Sequence, residues 1–141
     1  MKNKFYKNWK ASKNPKKQRK YSANAPIHLI KKMISVNLSK ELRKKYGKRN
    51  VPIRKGDTVR IMVGKLRNKE GKVSKVKRND LKVYIEGVQV KKRDGSKADI
   101  PTRPSNLKII ELILDDKKRI KSIERKANIH KEESKNNKEK K

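Results

Sequence analysis

The sequence predicts a mainly β domain: a small barrel of about five short strands, with two short helices before it, one after it, and basic extended tails. Three observations point there. Within residues 51–114 apolar side chains alternate in short runs separated by turn residues, the period of half-buried strands. Within residues 24–50 they recur instead at spacings of three and four, the period of a helix. Elsewhere charge outweighs anything able to form a core: the 141 residues are 31% hydrophobic and carry 45 Lys and Arg against 14 Asp and Glu, a formal charge of +31. That length accommodates one domain plus tails.

Residues 1–23 read as a basic arm, extended until bound. The first 22 residues hold nine Lys or Arg, no acid, and four of the six aromatics, Phe5, Tyr6, Trp9 and Tyr21. With so few aliphatic neighbours these rings are expected to stack on bases or fill grooves, while Lys10, Lys13, Lys16, Lys17, Arg19 and Lys20 meet phosphates. Residues 24–50 read as a helical extension. Asn24 is placed to cap a first helix with Pro26 in its first turn and Ile27, Ile30 and Ile34 on one face, leaving His28, Lys31 and Lys32 on others. Ser39 is placed to cap a second, on which Leu38, Leu42 and Tyr46 repeat every four residues and Gly47 ends the run. Its outer face is Arg43, Lys44 and Lys45.

The barrel is expected over residues 51–114, entered through Arg54 and Lys55. Val59, Ile61 and Val63 share one face of a first strand, and another strand begins at Val73. In "LKVYIEGVQV" the alternation of Leu81, Val83 and Ile85 changes phase at Gly87 and resumes at Val88 and Val90, which predicts a bulge or sharp bend. Asp94-Gly95 is a tight hairpin pair, Ile100 opens the returning strand, and Leu107, Ile109 and Leu112 mark a last one. Residues 115–129 read as a helix capped by Asp116, with Ile120, Ile123 and Ala127 as a thin stripe that docks on the barrel. Residues 130–141, "HKEESKNNKEKK" after Ile129, have nothing to bury and are expected to be disordered.

Charge concentrates toward the N-terminus: residues 1–50, 51–114 and 115–141 carry +16, +10 and +5. Self-repulsion of this size opposes compaction unless a polyanion neutralises it, so nucleic acid is the expected partner. Membrane insertion is not expected, because there is no run of about 18 apolar residues and the start lacks the apolar centre of a secretory signal. A cytoplasmic protein follows from that reading. Catalysis is not expected either. There is no Cys, His28 and His130 are the only histidines and neither has a metal-ligand partner at helical spacing, and Asp57, Glu70 and Asp80 sit among cations as charge partners or turn residues. "VGKLRNKEGKV" lacks the glycine and lysine spacing that wraps a nucleotide's phosphates, so no metal, cofactor or small-molecule substrate is assigned.

Lys55-Gly56-Asp57, then Val59, Ile61 and Val63, then Gly64-Lys65, then Glu70-Gly71-Lys72-Val73 resemble the KOW motif. Gly56 permits a turn, and Gly71 suits a backbone position that a side chain would obstruct. The resemblance widens to "APIHLIKKMISVNLSKELRKKYGKRNVPIRKGDTVRI", "GKLRNKEGKVSKV", "VYIEGVQVKKRDGS" and "PSNLKIIELILDDKKR", so that residues 15–125 look like the archaeal and eukaryotic form of the large-subunit ribosomal protein family L-twenty-four in universal nomenclature. It implies an SH3-like KOW barrel bound to large-subunit ribosomal RNA, with neighbouring ribosomal proteins as further partners, near the peptide exit tunnel and acting early in subunit assembly. Family members contact RNA through the N-terminal extension and the barrel loops. Carried onto this chain, the first loop is Gly64, Lys65, Arg67, Asn68, Lys69 and Lys72, and the second is Arg103, Pro104 and Ser105. Related sequences often place an aromatic residue where this chain has Leu66 or Arg67, which leaves cation pairing rather than stacking there. Two rival readings fit less well. A KOW-type transcription elongation factor usually carries another folded domain before the KOW, for which residues 1–50 are too basic; a general polyanion binder has no use for ordered turns and strands.

Overall fold

The computed structural model describes residues 5–124. Its core is built on eight strands: β1 (Ser35–Leu38), β2 (Asn50–Pro52), β3 (Thr58–Ile61), β4 (Glu70–Lys77), β5 (Lys82–Ile85), β6 (Gln89–Lys91), β7 (Lys97–Asp99) and β8 (Leu107–Glu111). Six form one mixed sheet in the order β2-β1-β8-β3-β4-β5, and β6 and β7 form a separate hairpin. Neighbours run antiparallel except β1 and β8, where Asn37 and Leu38 lie parallel to Lys108 and Ile109.

The alternation read from the sequence is the burial pattern within β3, β5 and β8, but it does not extend to Val63, which lies past the end of β3, or to Val90 on the hairpin strand β6, both of which are exposed. Val59 and Ile61 face in, Arg60 faces out, Val83 and Ile85 flank the half-buried Tyr84, and Leu107 and Ile109 fill the centre. These join Val36, Leu38, Val51 and Ile53 in one apolar cluster. Fully burying such side chains stabilises by about 1.5–3 kcal/mol each relative to exposure. The mainly β class therefore holds, but the barrel is not closed: β2 and β5 are the sheet's edges. β2 has only three residues and ends at Pro52, which has no N–H to offer a further strand, and the outer side of β5 meets only the single bridge Val83–Thr102.

The N-terminal half differs most from expectation. The arm is not extended throughout. Residues Lys7–Ala11 form a 3-10 turn and Pro15–Ala23 form helix α1, whose first turn is capped by the Asn14 side chain accepting from the Lys16 N–H at 2.9 Å. The Gln18 amide donates to the carbonyls of Trp9, Lys10 and Ser12 and ties turn to helix. The rings pack on one another, Phe5 against Tyr21 at 5.0 Å and Tyr6 against Trp9 at 4.7 Å, and Tyr21 is buried. Helix α2 (Ile27–Met33) begins after Pro26, while Asn24 ends α1 rather than capping α2. Helix α3 (Lys40–Tyr46) has the expected ends: the Ser39 Oγ accepts from the Leu42 N–H, and Gly47 is left-handed at φ 60°. Between the helices, Leu38 belongs to β1, one strand in from the edge of the sheet, and not to a helical stripe.

Gly87 and Gly95 sit at the predicted bend and hairpin turn, with φ 75° and 82°. Helix α4 runs over 117–124 to the end of the described residues, and Asp116 caps it through the Lys118 N–H at 2.7 Å. Ile123 docks as expected. The expectations for Ala127, His130 and the terminal tail lie outside the described residues.

Candidate nucleic-acid interface

Loop 62–69 is built before it is charged. The Asn68 N–H donates to the Ile61 carbonyl at 2.8 Å and the Ile61 N–H to the Lys69 carbonyl at 2.9 Å, closing the loop across the ends of β3 and β4. Two positive-φ residues turn it, Gly64 at 99° and Asn68 at 68°. Leu66 packs inward on the core, which anchors the loop. Lys65, Arg67 and Lys69 are left exposed. Lys72, read from the sequence as part of this loop, lies on β4 opposite Thr58 and points away from the core. Glu70 is not a turn residue: it starts β4, faces Arg60 across the ladder and accepts from its Nε at 2.7 Å.

Gly71 has a packing role. A Cβ there would stand 2.7 Å from Ile85 Cγ2 and 2.8 Å from the Glu86 carbonyl oxygen, distances only a hydrogen atom tolerates. Its absence lets the β5 end close over the start of β4.

The second loop lies beside the first. Ile61 pairs with Leu107 across β3 and β8, and the Met62 N–H donates to the Asn106 carbonyl at 2.8 Å. Pro104 is buried and begins a 3-10 turn that leaves Arg103 and Ser105 exposed. Lys65, Arg67, Lys69 and Arg103 thus share one end of the sheet, and no carboxylate among the described residues pairs with any of them.

The remaining sequence candidates fall into separate groups. Lys10, His28 and Lys32 line a 730 Å³ cleft floored by Phe5, Tyr21, Leu29 and Met33. Lys31, Arg54 and Lys55 line another. Lys13, Lys16, Lys17, Arg19 and Lys20 are exposed along and just before α1. On α3, Arg43 is half-buried and donates to the Leu38 carbonyl at 3.0 Å, whereas Lys44 and Lys45 are exposed.

What the sequence did not reveal is how the turn at 54–57 is held. Asp57 is completely buried, and its carboxylate accepts from Arg119 Nη1 and Nη2 at 2.8 and 2.7 Å, from the Arg54 N–H at 2.8 Å and from the Ile113 N–H at 3.2 Å. Arg119, 5% exposed, also donates to the Ile113 carbonyl. The charge-partner reading of Asp57 is right in kind, but its partner lies 62 residues away and joins α4 to the sheet. Lys48 adds a second tie to α4 through the Ser122 carbonyl.

Among the described residues no group of three or more His, Asp or Glu is placed to hold a metal, and no helix is long and apolar enough to cross a membrane. Residues 12–126 match the model of a family described as ribosomal proteins L26 in its eukaryotic form and L24 in its archaeal form.

Proposed function

The chain belongs to the family of eukaryotic L26 and archaeal L24 ribosomal proteins, structural components of the large subunit, and from that premise we propose that it clamps large-subunit ribosomal RNA with the paired loops 62–69 and 103–106. The observation that carries this is the Met62-to-Asn106 hydrogen bond, which holds two loops side by side with Lys65, Arg67, Lys69 and Arg103 exposed and unpaired among the described residues. Rigid loops hold cations at fixed spacing, so phosphate contacts form without the cost of ordering a coil. The side chains contact phosphates, and recognition follows RNA shape, because the deep, narrow groove of an RNA helix hides its base edges. Basic helices α1, α2 and α3 extend the contact between RNA segments. The protein acts on the cytoplasmic ribosome, early in subunit assembly and near the peptide exit tunnel, beside other large-subunit proteins.

Replacing Lys65, Arg67 and Lys69 together by Glu tests the loop. The triple variant is expected to keep its circular dichroism spectrum and thermal midpoint and to bind a large-subunit RNA domain at least about tenfold more weakly, since three phosphate contacts become repulsions. Binding lost only in proportion to lost folding would make the loop a connector.

A further inference from the structure

The turn at 54–57 opens onto a 460 Å³ cleft between the end of β2 and the second half of β4. Its floor is apolar, made by Ile34, Pro52, Ile53 and Val76. Its rim is cationic, made by Lys31, Arg54, Lys55, Lys75 and Arg78, and no carboxylate lines it. Arg54 is engaged by Asp116 at 2.6 Å, but no carboxylate among the described residues pairs with the other four. Ser74 lines the cleft too, and it is the extra residue of β4, where the register against β5 shifts between Val73 and Lys75. Such a bulge leaves one residue outside the ladder and re-aims its neighbours.

We infer that this cleft receives a single unstacked RNA nucleotide, the base lying on Pro52 and Val76 and the flanking phosphates meeting Lys31, Lys55, Lys75 and Arg78. This rests on the RNA-binding reading and deepens it. A continuous duplex presents phosphates but nothing to enter an apolar floor, whereas an extruded base has two apolar faces and polar edges. The edge groups meet the Ser74 hydroxyl. The volume falls in the range of small-ligand sites, roughly 300–1,000 Å³. Four unpaired cations around an apolar floor favour a polyanion carrying a flat ring over an apolar peptide.

The test uses the full chain and two RNA hairpins identical except for one bulged 4-thiouridine. The bulged RNA is expected to bind about tenfold more tightly, the scale of one base stacked on protein. It is also expected to crosslink under long-wave ultraviolet light to residues 52–55 or 74–78. Val76→Trp fills the cleft and is expected to abolish the preference while leaving affinity for the perfect hairpin unchanged; if that variant does not fold, the crosslink map decides. Equal affinity for both hairpins, or crosslinks confined to 62–69 and 103–106, overturns the cleft assignment and leaves the loop clamp standing. Crosslinking there of an acidic, phenylalanine-containing photoprobe peptide in place of the nucleotide assigns the cleft to a protein and overturns it. Failure to bind either hairpin overturns both readings.

Discussion

Asp57 and Arg119 bury opposite charges in the same place, and the two fit only as a pair. The carboxylate has four donors, so its desolvation is met by hydrogen bonds that water would otherwise supply. Removing one partner strands the other charge in the interior. Asp57→Ala and Arg119→Met are each expected to cost about 3–5 kcal/mol in urea unfolding, and the double variant distinctly less than their sum. A single-variant loss below about 1 kcal/mol would show that the pair is not the tie described. Gly71 carries the second residue-scale prediction. Gly71→Val places branched carbon against the Glu86 carbonyl and Ile85, so a loss of at least about 2 kcal/mol is expected, read from the denaturant midpoint. A folded variant of normal stability would contradict the close approach. Gly71 was legible in the sequence because its motif marks a backbone position that a side chain would obstruct, although that position lies in β4 and not in a turn. Asp57 was legible only as a partner for a cation: nothing local distinguishes Arg119 from the many other cations, because the pairing spans 62 residues.

Elements with their own period were legible, and those without one were not. β3, β5 and β8 alternate clearly and were placed within a residue or two. β1 has four residues, and Leu38 at its end and Ile34 just before it also satisfy a helical spacing, so its two buried positions could not outvote the helices around it. Helix α1 has only Tyr21 buried and therefore no apolar stripe; the readable signal was the cap, Asn14 followed by Pro15 at the first helical position. Lys75 and Arg78 had no signal at all, since the cleft that gathers them forms only where β4 faces the end of β2. At the start of α4, the Arg54 guanidinium hydrogen-bonded to Asp116 holds that carboxyl below the ordinary aspartate range, with the Lys118 N–H adding to it. A depressed folded-state pKa means the stabilisation is complete above the ordinary value and is lost as pH falls through the depressed one. An NMR titration is expected to show Asp116 ionising below free aspartate, with Arg54→Ala moving it upward and loosening α4 at a higher pH. An unmoved midpoint in Arg54→Ala would deny the pairing in solution.

For the whole molecule, +31 is the quantity to explain, and a polyanion large enough to neutralise it makes the compact state sustainable. The sheet supplies rigidity, the paired loops a fixed set of cations, and the helices a broader basic surface. Charge and strand period made this division legible from the sequence; the side-by-side loops required the register of β3 against β8. Counterion release gives the account its most direct test. The affinity of the full chain for a large-subunit RNA domain is measured against salt, alongside a variant with Lys65, Arg67 and Lys69 all replaced by Gln. The wild-type affinity is expected to fall by about 10³–10⁵ between 50 and 200 mM salt, as about six to ten phosphate contacts require, and the variant's logarithmic slope to be shallower by about 2–3. Equal slopes for the two proteins would mean that the loop touches no phosphate, and would contradict the clamp.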